Sequence, residues 1–368
     1  MIRINDLKRE FAYFEKPLLE ATRSVVASGY YLSGSATKSF CEAFGAYLAI
    51  AHVVPMANGT DALEIAFRAC GVSEGVEVIL AANAGGYGTI AARLTGATPV
   101  YADIRLPSMT LDPASVASLL SERTRAVVVT HLYGNHADVA GIRAALDSRG
   151  RSDVALIEDC AQAHGAKSRG RKAGTQGDLA CFSFYPTKNL GALGDAGAVV
   201  TNDAGLAAKL RLLHQYGWET RYHTVVPGGR NSRMDEMQAA CLSVKLQKLD
   251  ELNARRRQVL ERYRQALPAG YRLCALTGEE TVAHLAVLLC PDRAAAEAHL
   301  RSRGVETGIH YPMLDCDQPG WRNMHTRSAP LTESRHAVER ILTVPCYPHL
   351  TDAECATVCA ALTSLPAA

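Results

Sequence analysis

Short apolar runs alternate with segments of helical periodicity between about residue 50 and residue 200. The apolar runs are rich in β-branched residues and bounded by Gly, Pro, Asp or Asn, as strands are: Val53–Ala57, Glu77–Ala82, Thr98–Ile104, Arg125–His131 and Val154–Glu158. Between them, the patterns that predict helices are Asp61–Cys70, Thr89–Thr95, Pro113–Leu120 and Val139–Ser148. This alternation predicts an α/β fold in which a mainly parallel, mixed sheet lies between helices.

The pattern changes after about residue 225. Asp235–Leu267 predicts a long helical stretch, and the remainder predicts an α+β order of strand, strand, helix and strand: Arg272–Leu276, His284–Cys290, Arg293–Arg303 and Val305–Tyr311. The N-terminus predicts a helical arm that ends in a turn at Ser28–Gly34. We therefore predict an arm and a large domain over residues 1–225 and a smaller C-terminal α+β domain over residues 226–368.

Composition narrows the class of protein. Of the 368 residues, 48% are hydrophobic and 21% charged, and the net charge is +2, so bulk charge does not favour nucleic acid or an anionic membrane. No apolar stretch is long enough to span a bilayer, and the N-terminus lacks a signal-peptide pattern. Eleven cysteines without a C-x-x-C pair indicate reduced thiols in the cytoplasm. His131 and His136 have no cysteine or carboxylate cluster beside them, so we expect no metal site.

Lys188 stands in an unusual setting for a lysine. It follows the strand-like run Phe182–Phe184 and precedes a glycine-punctuated segment that becomes strand-like again at Ala198–Thr201. Most lysines are solvated surface residues, but a desolvated lysine loses its proton readily and forms a Schiff base with an aldehyde. Lys188 is therefore a candidate covalent catalyst, depending on the residues that accompany it.

Two turns upstream carry polar groups of complementary chemistry. Asn58–Asp61 follows a strand and opens a helix that Thr60 and Asp61 can cap, and a helix N-terminus suits a phosphate. Asp159 follows another strand, at the sheet edge where α/β proteins bind ligands, and its carboxylate can hold a cationic ring nitrogen. Taken singly, the first is equally an ordinary strand-to-helix turn, and the second a turn or capping aspartate.

Together, these residues match the polar groups of pyridoxal 5'-phosphate (PLP). That cofactor needs a lysine for its aldehyde and an acidic partner for its pyridinium nitrogen. Lys188 and Asp159 can supply both, with the Gly59–Thr60 turn and Ser183 available for the phosphate. The combination is a much stronger signal than any one of its parts.

The same residues carry a resemblance to a known family. The chain resembles the DegT/DnrJ/EryC1/StrS sugar aminotransferases, a branch of the aspartate-aminotransferase-like, fold-type I PLP enzymes. The resemblance covers nearly the whole chain, and its most specific motifs are Glu158–Ala166 and Phe182–Lys188. It implies a nucleotide-linked keto sugar as amino acceptor, L-glutamate as amino donor, and a homodimer with shared active sites.

The resemblance also implies a role for each matching residue. Lys188 would bond the cofactor's aldehyde and carry the proton, Asp159 would bind the pyridine nitrogen, and Gln162 the phenolic oxygen. The residues implied to hold the phosphate are Gly59, Thr60 and Ser183. Asn231 would reach the phosphate bound to the neighbouring subunit. The residues implied to lie near the sugar are Tyr30, Tyr31, His310 and Tyr311.

One position departs from the family pattern. An aromatic residue usually stacks on the cofactor ring after the third strand, and counting back from Gly96 places that position at Gly85. Either Tyr87 stacks on the ring after a local shift, or Gly85 leaves the ring face open. We favour Tyr87.

The substrate is predicted less specifically than the reaction. The resemblance implies a ping-pong transamination through pyridoxamine phosphate (PMP), and the loop from His310 to Gln318 lacks the His-Tyr-x-Pro-Leu-His form of several C-4 enzymes. We favour amination at C-4 of dTDP-4-keto-6-deoxyglucose. The alternatives are a C-3 keto-sugar aminotransferase or another fold-type I PLP enzyme, a lyase or a dehydratase. The family's dehydratases typically have histidine at the lysine position, so Lys188 argues against that one.

Overall fold

The computed structural model describes residues 1–367, which form seventeen strands and twelve α-helices. The helices are α1 Leu7–Ser28, α2 Ser35–Leu48, α3 Gly59–Ala69, α4 Tyr87–Leu94, α5 Pro113–Leu119, α6 Val139–Ser148, α7 Ala204–Leu213, α8 Glu236–Leu246, α9 Leu249–Ala266, α10 Arg293–Ser302, α11 Thr332–Arg340 and α12 Asp352–Thr363. The strands are β1 His52–Met56, β2 Glu77–Ala81, β3 Thr98–Ala102, β4 Ile104–Arg105, β5 Thr110–Leu111, β6 Thr124–Thr130, β7 Ala155–Asp159, β8 Lys167–Ser168, β9 Arg171–Lys172, β10 Leu179–Ser183, β11 Gly197–Thr201, β12 Trp218–Thr220, β13 His223–Thr224, β14 Arg272–Leu273, β15 Ala286–Leu289, β16 Arg327–Ser328 and β17 Ile341–Val344.

An eight-stranded mixed sheet forms the centre of the molecule, in the order β1-β11-β10-β7-β6-β2-β3-β16. The strands from β10 to β16 pair in parallel, whereas β1 and β11 are antiparallel to their neighbours. In β2, Val78 and Leu80 pack into an apolar cluster shared with α3, while Ile79 and Ala81 pack into a second cluster shared with α6. Because side chains alternate between the two faces of a strand, both faces of the sheet are covered. The predicted α/β architecture is confirmed.

The N-terminal arm is held by a carboxylate from far along the chain. Gly34 begins α2 without a side-chain cap of its own. Instead Glu236, the first residue of α8, accepts hydrogen bonds from the backbone N–H groups of Gly34, Ala36 and Thr37 at 2.8–2.9 Å. These are N–H groups that a helix leaves unpaired at its start, so Glu236 acts as the cap. The turn before α2, with its exposed tyrosines, is thereby fastened to α8.

The C-terminal part contains a separate antiparallel sheet in the order β14-β15-β17, with its own apolar core. The prediction of a strand at Val305–Tyr311 is wrong. That segment makes only isolated bridges, at Val305 and Gly308, and β17 takes the place beside β15. The predicted helical stretch Asp235–Leu267 is two helices, α8 and α9, and α8 packs against α1 and α2. A domain boundary near residue 225 stays a prediction.

Every helix within residues 1–367 is either too short or too polar to span a bilayer.

Candidate active site

A cavity of about 370 Å³ opens where β7 and β10 end and α3 begins. This is the edge of a parallel sheet at which α/β proteins bind ligands, and the volume lies in the range of small-molecule sites. The predicted site residues that line it are Gly59, Thr60, Tyr87, Asp159, Gln162, Ser183 and Lys188. Four residues that sequence reasoning missed also line it: Asn58, Thr130, Tyr185 and Asp195. Asn58, Thr130 and Tyr185 lie at or just beyond the end of a strand, and that position is the signal that could have identified them, whereas Asp195 lies just before β11.

The first turn of α3 forms one wall of this cavity. Asn58 caps the helix, because its Oδ1 accepts the Asp61 N–H at 2.8 Å, so the cap expected from Thr60 or Asp61 is corrected. Gly59 packs tightly on Ser183: a Cβ at Gly59 would lie 2.6 Å from the Ser183 Cβ. The wall therefore brings free N–H groups and the Thr60 and Ser183 hydroxyls to one place, as anion binding requires.

Asp159 lines the same cavity and is the last residue of β7. Its Oδ1 accepts the N–H of Ala161 at 3.1 Å, and its Oδ2 accepts a longer bond of 3.4 Å from Thr130. Burial raises the pKa of the carboxyl, against the hydrogen bond from Ala161 and the positive charge of Lys188. A cationic partner would hold this buried acid in its ionised form by a charge-assisted hydrogen bond.

Lys188 is the one predicted covalent catalyst, and neutral imidazoles surround it. Burial lowers the pKa of Lys188 to about 8, and the charge of Asp159 opposes the shift. Burial, followed by the charge of Lys188, lowers the pKa of His164 to about 3 and the pKa values of His284 and His310 below their usual range. The histidines are therefore uncharged at neutral pH. Lys188 and Asp159 form one pair of opposed charges in the cavity, which Asp195 also lines, and a fraction of Lys188 is a free amine.

Gln162 joins the cavity to the segment at residues 310–311. Its Oε1 accepts the N–H of Tyr133 at 2.7 Å, and its Nε2 donates to the hydroxyl of Tyr311 at 3.1 Å. The Tyr311 ring fills the space beside Gly85, where an added Cβ would lie 2.7 Å from the ring. Gly85 also has a φ of +81°, which favours glycine. Tyr87 lines the cavity edge-on to Tyr311, with 6.3 Å between the ring centroids.

Hydrogen bonds to Asp315 connect the loop after Tyr311 to the turn at Gly85 and Gly86. The carboxylate accepts hydrogen bonds from the N–H of Gly86 at 2.8 Å and the hydroxyl of Thr89 at 3.3 Å. Asp315 therefore caps α4, because the N-cap residue Gly86 has no side chain that could do so. The indole N–H of Trp321 donates to the Asp315 carbonyl at 2.6 Å. Burial raises the pKa of Asp315 to about 7, although the hydrogen bond from Gly86 opposes the shift.

Five predicted site residues do not line the cavity. His310 and Tyr311 lie behind Gln162, and the other three are exposed and are called the outer residues here: Tyr30, Tyr31 and Asn231. The tyrosine side chains are 73% and 55% exposed, and Asn231 is exposed as well. The Tyr31 carbonyl accepts the Glu236 N–H at 3.0 Å, so the outer residues flank the segment that joins the arm to α8. His310 does not line the cavity directly, and its Nδ1 lies 2.8 Å from the Thr343 hydroxyl. Their predicted roles therefore depend on contacts that one chain does not contain.

His131, Glu158 and Cys160 place three potential metal ligands close together. Hydrogen bonds within the protein already use the ligand atoms of the first two. His131 Nε2 lies 2.9 Å from Glu158, and its Nδ1 accepts the N–H of Ala137. Glu158 also accepts the N–H groups of Gly174 and Gly177. This network ties β6 and β7 to the loop before β10.

Comparison with known proteins identifies the family of the chain. The family model for the DegT/DnrJ/EryC1/StrS aminotransferase family matches residues 13–363. The chain is 40% identical to the erythromycin biosynthesis sensory transduction protein EryC1 of Saccharopolyspora erythraea, over 94% of both chains. It is 38% identical to the dTDP-3-amino-3,4,6-trideoxy-alpha-D-glucose transaminase of Streptomyces venezuelae, over 94% of this chain and 91% of the relative.

A solved structure matches as closely in three dimensions. The crystal structure of S. venezuelae DesV in complex with a ketimine intermediate superimposes with a TM-score of 0.93 at 36% identity, covering 98% of this chain and 97% of DesV. Sequence and fold therefore agree along the whole length. The chain belongs to the DegT/DnrJ/EryC1/StrS aminotransferase family, whose members are PLP-dependent fold-type I enzymes.

Proposed function

We propose that the protein transfers the amino group of L-glutamate to the keto group of a dTDP-linked deoxysugar. The observation that carries this proposal is the pairing of Lys188 and Asp159 in one cavity with the first turn of α3. The aldehyde, ring nitrogen and phosphate of PLP would engage the amine, the acid and the anion-binding helix start that meet at this sheet edge.

The residues of the cavity fit PLP. Asp159 is a buried acid whose raised pKa calls for a cationic partner, as a pyridinium nitrogen would be. Gly59 lets the start of α3 approach Ser183 closely, which leaves the N–H groups and hydroxyls of that wall free for a phosphate. We assign the phosphate to Gly59, Thr60 and Ser183, the pyridine nitrogen to Asp159, the phenolic oxygen to Gln162, and the aldehyde carbon to Lys188.

The chain's own residues then divide the chemistry. Bound PLP supplies an electron sink that stabilises negative charge on the substrate carbon. Asp159 would hold the ring nitrogen and keep it protonated. Lys188 would bond the aldehyde carbon, and its free amine would accept a proton from the substrate carbon and give it back. Because the pKa of Lys188 is about 8, the amine can both accept and donate a proton near neutral pH, an effect worth roughly 10²–10⁴-fold in rate.

We further propose that two copies of the chain share each site. The outer residues are exposed in one chain, although the family pattern gives them contacts with phosphate and sugar. A homodimer would bring Asn231 of one copy to the phosphate of the other and would cover Tyr30 and Tyr31. The location in the cytoplasm stays a prediction.

The position of amination has two candidates, each favoured by one observation. The name of the S. venezuelae relative specifies a 3-amino sugar, and this favours amination at C-3. The loop that begins at His310 and Tyr311 lacks the His-Tyr-x-Pro-Leu-His form of several C-4 enzymes and looks closer to the viosamine-type C-4 and the 3-amino-sugar enzymes. This keeps C-4 of dTDP-4-keto-6-deoxyglucose as the second candidate. We give C-3 precedence, because the relative is similar along nearly its whole length.

The amino-transfer reaction is tested by absorbance. The purified protein with PLP should show the visible band of a lysine-bound cofactor, and L-glutamate should convert that band to the absorbance of PMP. Lys188→Ala should abolish both the band and turnover, because no amine remains to bond the aldehyde or move the proton. Lys172→Ala is the matched control, since Lys172 is a partly buried lysine that donates to the Tyr47 carbonyl instead. An active Lys188→Ala variant would refute the assignment.

The position of amination is tested separately. The PMP form, mixed with dTDP-linked 3-keto and 4-keto deoxysugars, should aminate the 3-keto compound, and NMR of the product locates the new C–N bond. Faster turnover of the 4-keto compound would make C-4 the correct assignment and leave the transamination itself intact.

A further inference from the structure

The residue that follows Lys188 is tied to the C-terminal part of the chain. The side-chain amide of Asn189 makes three hydrogen bonds. Its Nδ2 donates to Asn253 Oδ1 at 2.8 Å and to the Val282 carbonyl at 3.0 Å, and its Oδ1 lies 2.9 Å from His284 Nδ1. None of these partners belongs to the loop of Lys188, so the bonds connect that loop to α9 and to residues 282–284.

Two backbone carbonyls determine which atom donates and which accepts in the hydrogen bonds of Asn189, Asn253 and His284. A carbonyl only accepts, so the Val282 carbonyl requires the nitrogen of Asn189. In the same way the His164 carbonyl, 2.8 Å from Asn253 Nδ2, requires the nitrogen of Asn253. The oxygen of Asn189 therefore faces His284, and His284 donates from Nδ1. The pKa of His284 is lowered by burial, which agrees with a neutral ring in this single tautomer.

The hydrogen-bond network of Asn189 continues into the core of the C-terminal part. Asn253 is 1% exposed, and Arg256, one turn further along α9, is 5% exposed. Arg256 donates to the carbonyls of Cys346 at 2.7 Å and His284 at 3.4 Å. The loop of Lys188 is thus held by residues that are themselves held in a packed core, and a polar group satisfied this fully resists displacement.

We propose that Asn189 is a positioning residue for Lys188: its three hydrogen bonds tie the lysine's loop to α9 and to Val282–His284, and thereby keep the amine inside the cavity. The inference rests on the proposed role of Lys188 as the covalent catalyst. Asn189 lies next to Lys188 in the chain and acts through it. It also couples the lysine to the C-terminal part, because a displacement of α9 moves the same amide.

The physical consequence concerns solvation of the amine. Lys188 titrates low because the surrounding protein excludes water from it. If the hydrogen bonds of Asn189 are lost, the Lys188 amine is exposed to water more often, and its pKa rises towards the ordinary lysine value. A rise of about one unit lowers the neutral fraction at pH 8 roughly fivefold.

The experiment measures Lys188 directly in the full-length chain freed of cofactor. Trace labelling with isotope-coded acetic anhydride across a pH series, followed by peptide mass spectrometry, yields the pKa of the Lys188 amine. We expect Asn189→Ala to raise that pKa by about one unit. In the cofactor-loaded protein, the pH at which the visible band of the lysine-bound cofactor titrates should shift as well.

A matched control separates positioning from general stability. Asn135 is buried and, like Asn189, makes three hydrogen bonds, to the Ser108 and Cys274 carbonyls and from the Leu276 N–H, but it is not beside Lys188. Asn135→Ala should destabilise the fold by a similar amount and leave the pKa of Lys188 unchanged. His284→Ala should raise the pKa of Lys188 as Asn189→Ala does. His284→Asn retains a donor near the Nδ1 position, so the pKa of Lys188 should stay at its wild-type value in that variant.

The outcomes are distinct. An unchanged Lys188 pKa in folded Asn189→Ala, or an equal shift in Asn135→Ala, would overturn the proposal. Should Asn189→Ala not fold, the two His284 variants decide, and a raised pKa of Lys188 in His284→Asn counts against the proposal. If wild-type Lys188 does not bond PLP, the proposed function fails, but the labelling of the cofactor-free chain still decides whether Asn189 positions the amine.

Discussion

The cavity and the outer residues are two halves of one proposed site, yet they differ in almost every physical respect. In the cavity, Asp159 is buried and Lys188 half-buried, their pKa values are shifted, and residues of the same chain surround them. The outer tyrosines are more than half exposed, and Asn231 is exposed too. The difference teaches that one chain preorganises the groups proposed for cofactor chemistry, whereas it leaves the groups proposed for partner and substrate contact exposed to solvent.

Asp159→Asn tests the role of the cavity and, apart from Lys188→Ala, should have the largest effect of the variants that follow. The variant retains size and one acceptor but cannot keep a ring nitrogen protonated, so turnover should fall roughly a hundredfold, the value of a charge-assisted hydrogen bond. Single-turnover absorbance after addition of L-glutamate measures the step. Thr130→Val is the control, because Thr130 bonds Asp159 only at 3.4 Å and its loss should cost much less. Wild-type rates in Asp159→Asn would remove Asp159 from the chemistry.

The outer half is tested by mixing two variants. Asn231→Ala should lose roughly tenfold in activity, and Lys188→Ala should lose all of it. If each site combines Lys188 of one copy with Asn231 of the other, an unfolded and refolded equimolar mixture contains mixed dimers with one intact site. Activity should then reach about a quarter of the wild-type value, against roughly a twentieth without sharing. Activity at the lower value would place both residues in sites of a single chain.

Tyr87 stands at the border between the two halves. Tyr87→Ala should weaken retention of PLP roughly threefold, the size of one aromatic stacking contact. Tyr87→Phe should retain the affinity, because the ring remains. Dialysis with spectroscopic measurement of bound PLP gives both values. Equal affinity in Tyr87→Ala and the wild type would mean that the ring face beside Gly85 is left to Tyr311 or to solvent.

Asp315→Asn should alter stability and leave turnover of the folded enzyme nearly unchanged. The folded-state pKa of Asp315 is raised to about 7, above its unfolded value, so its contribution to stability is complete below about pH 4 and is lost as the pH rises through 7. Asparagine does not ionise, so from pH 5 to pH 8 the variant should gain roughly 2 kcal/mol relative to the wild type. Urea unfolding at several pH values measures the gap, and a gap independent of pH would contradict the expectation.

The sequence pattern predicted those cavity residues that stand at the ends of strands or at the start of a helix. Asp159 ends a strand, Gly59 begins a helix and Lys188 follows a strand, so their meeting at one sheet edge follows from the parallel order of the sheet. The false strand at Val305–Tyr311 shows the limit. Its apolar residues fit a strand, but β17, more than thirty residues later, pairs with β15 instead.

Long-range contacts account for what the sequence did not predict. Tyr311 fills the space beside Gly85, Asp315 caps α4, and Asn253 bonds Asn189. In each case a polar or aromatic residue meets a partner far along the chain, and no periodicity links the two positions. Such pairs follow only from the tertiary arrangement, because side-chain caps and contacts of this kind have no local signature.

The cap on α2 has a consequence for how the protein is made. The N–H groups of Gly34, Ala36 and Thr37 are paired by a carboxylate that lies 199 to 202 residues later. Domains form during synthesis in the order in which the ribosome delivers them. While the first two hundred residues emerge, the start of α2 has no cap, and the arm gains its lasting position only when Glu236 leaves the exit tunnel.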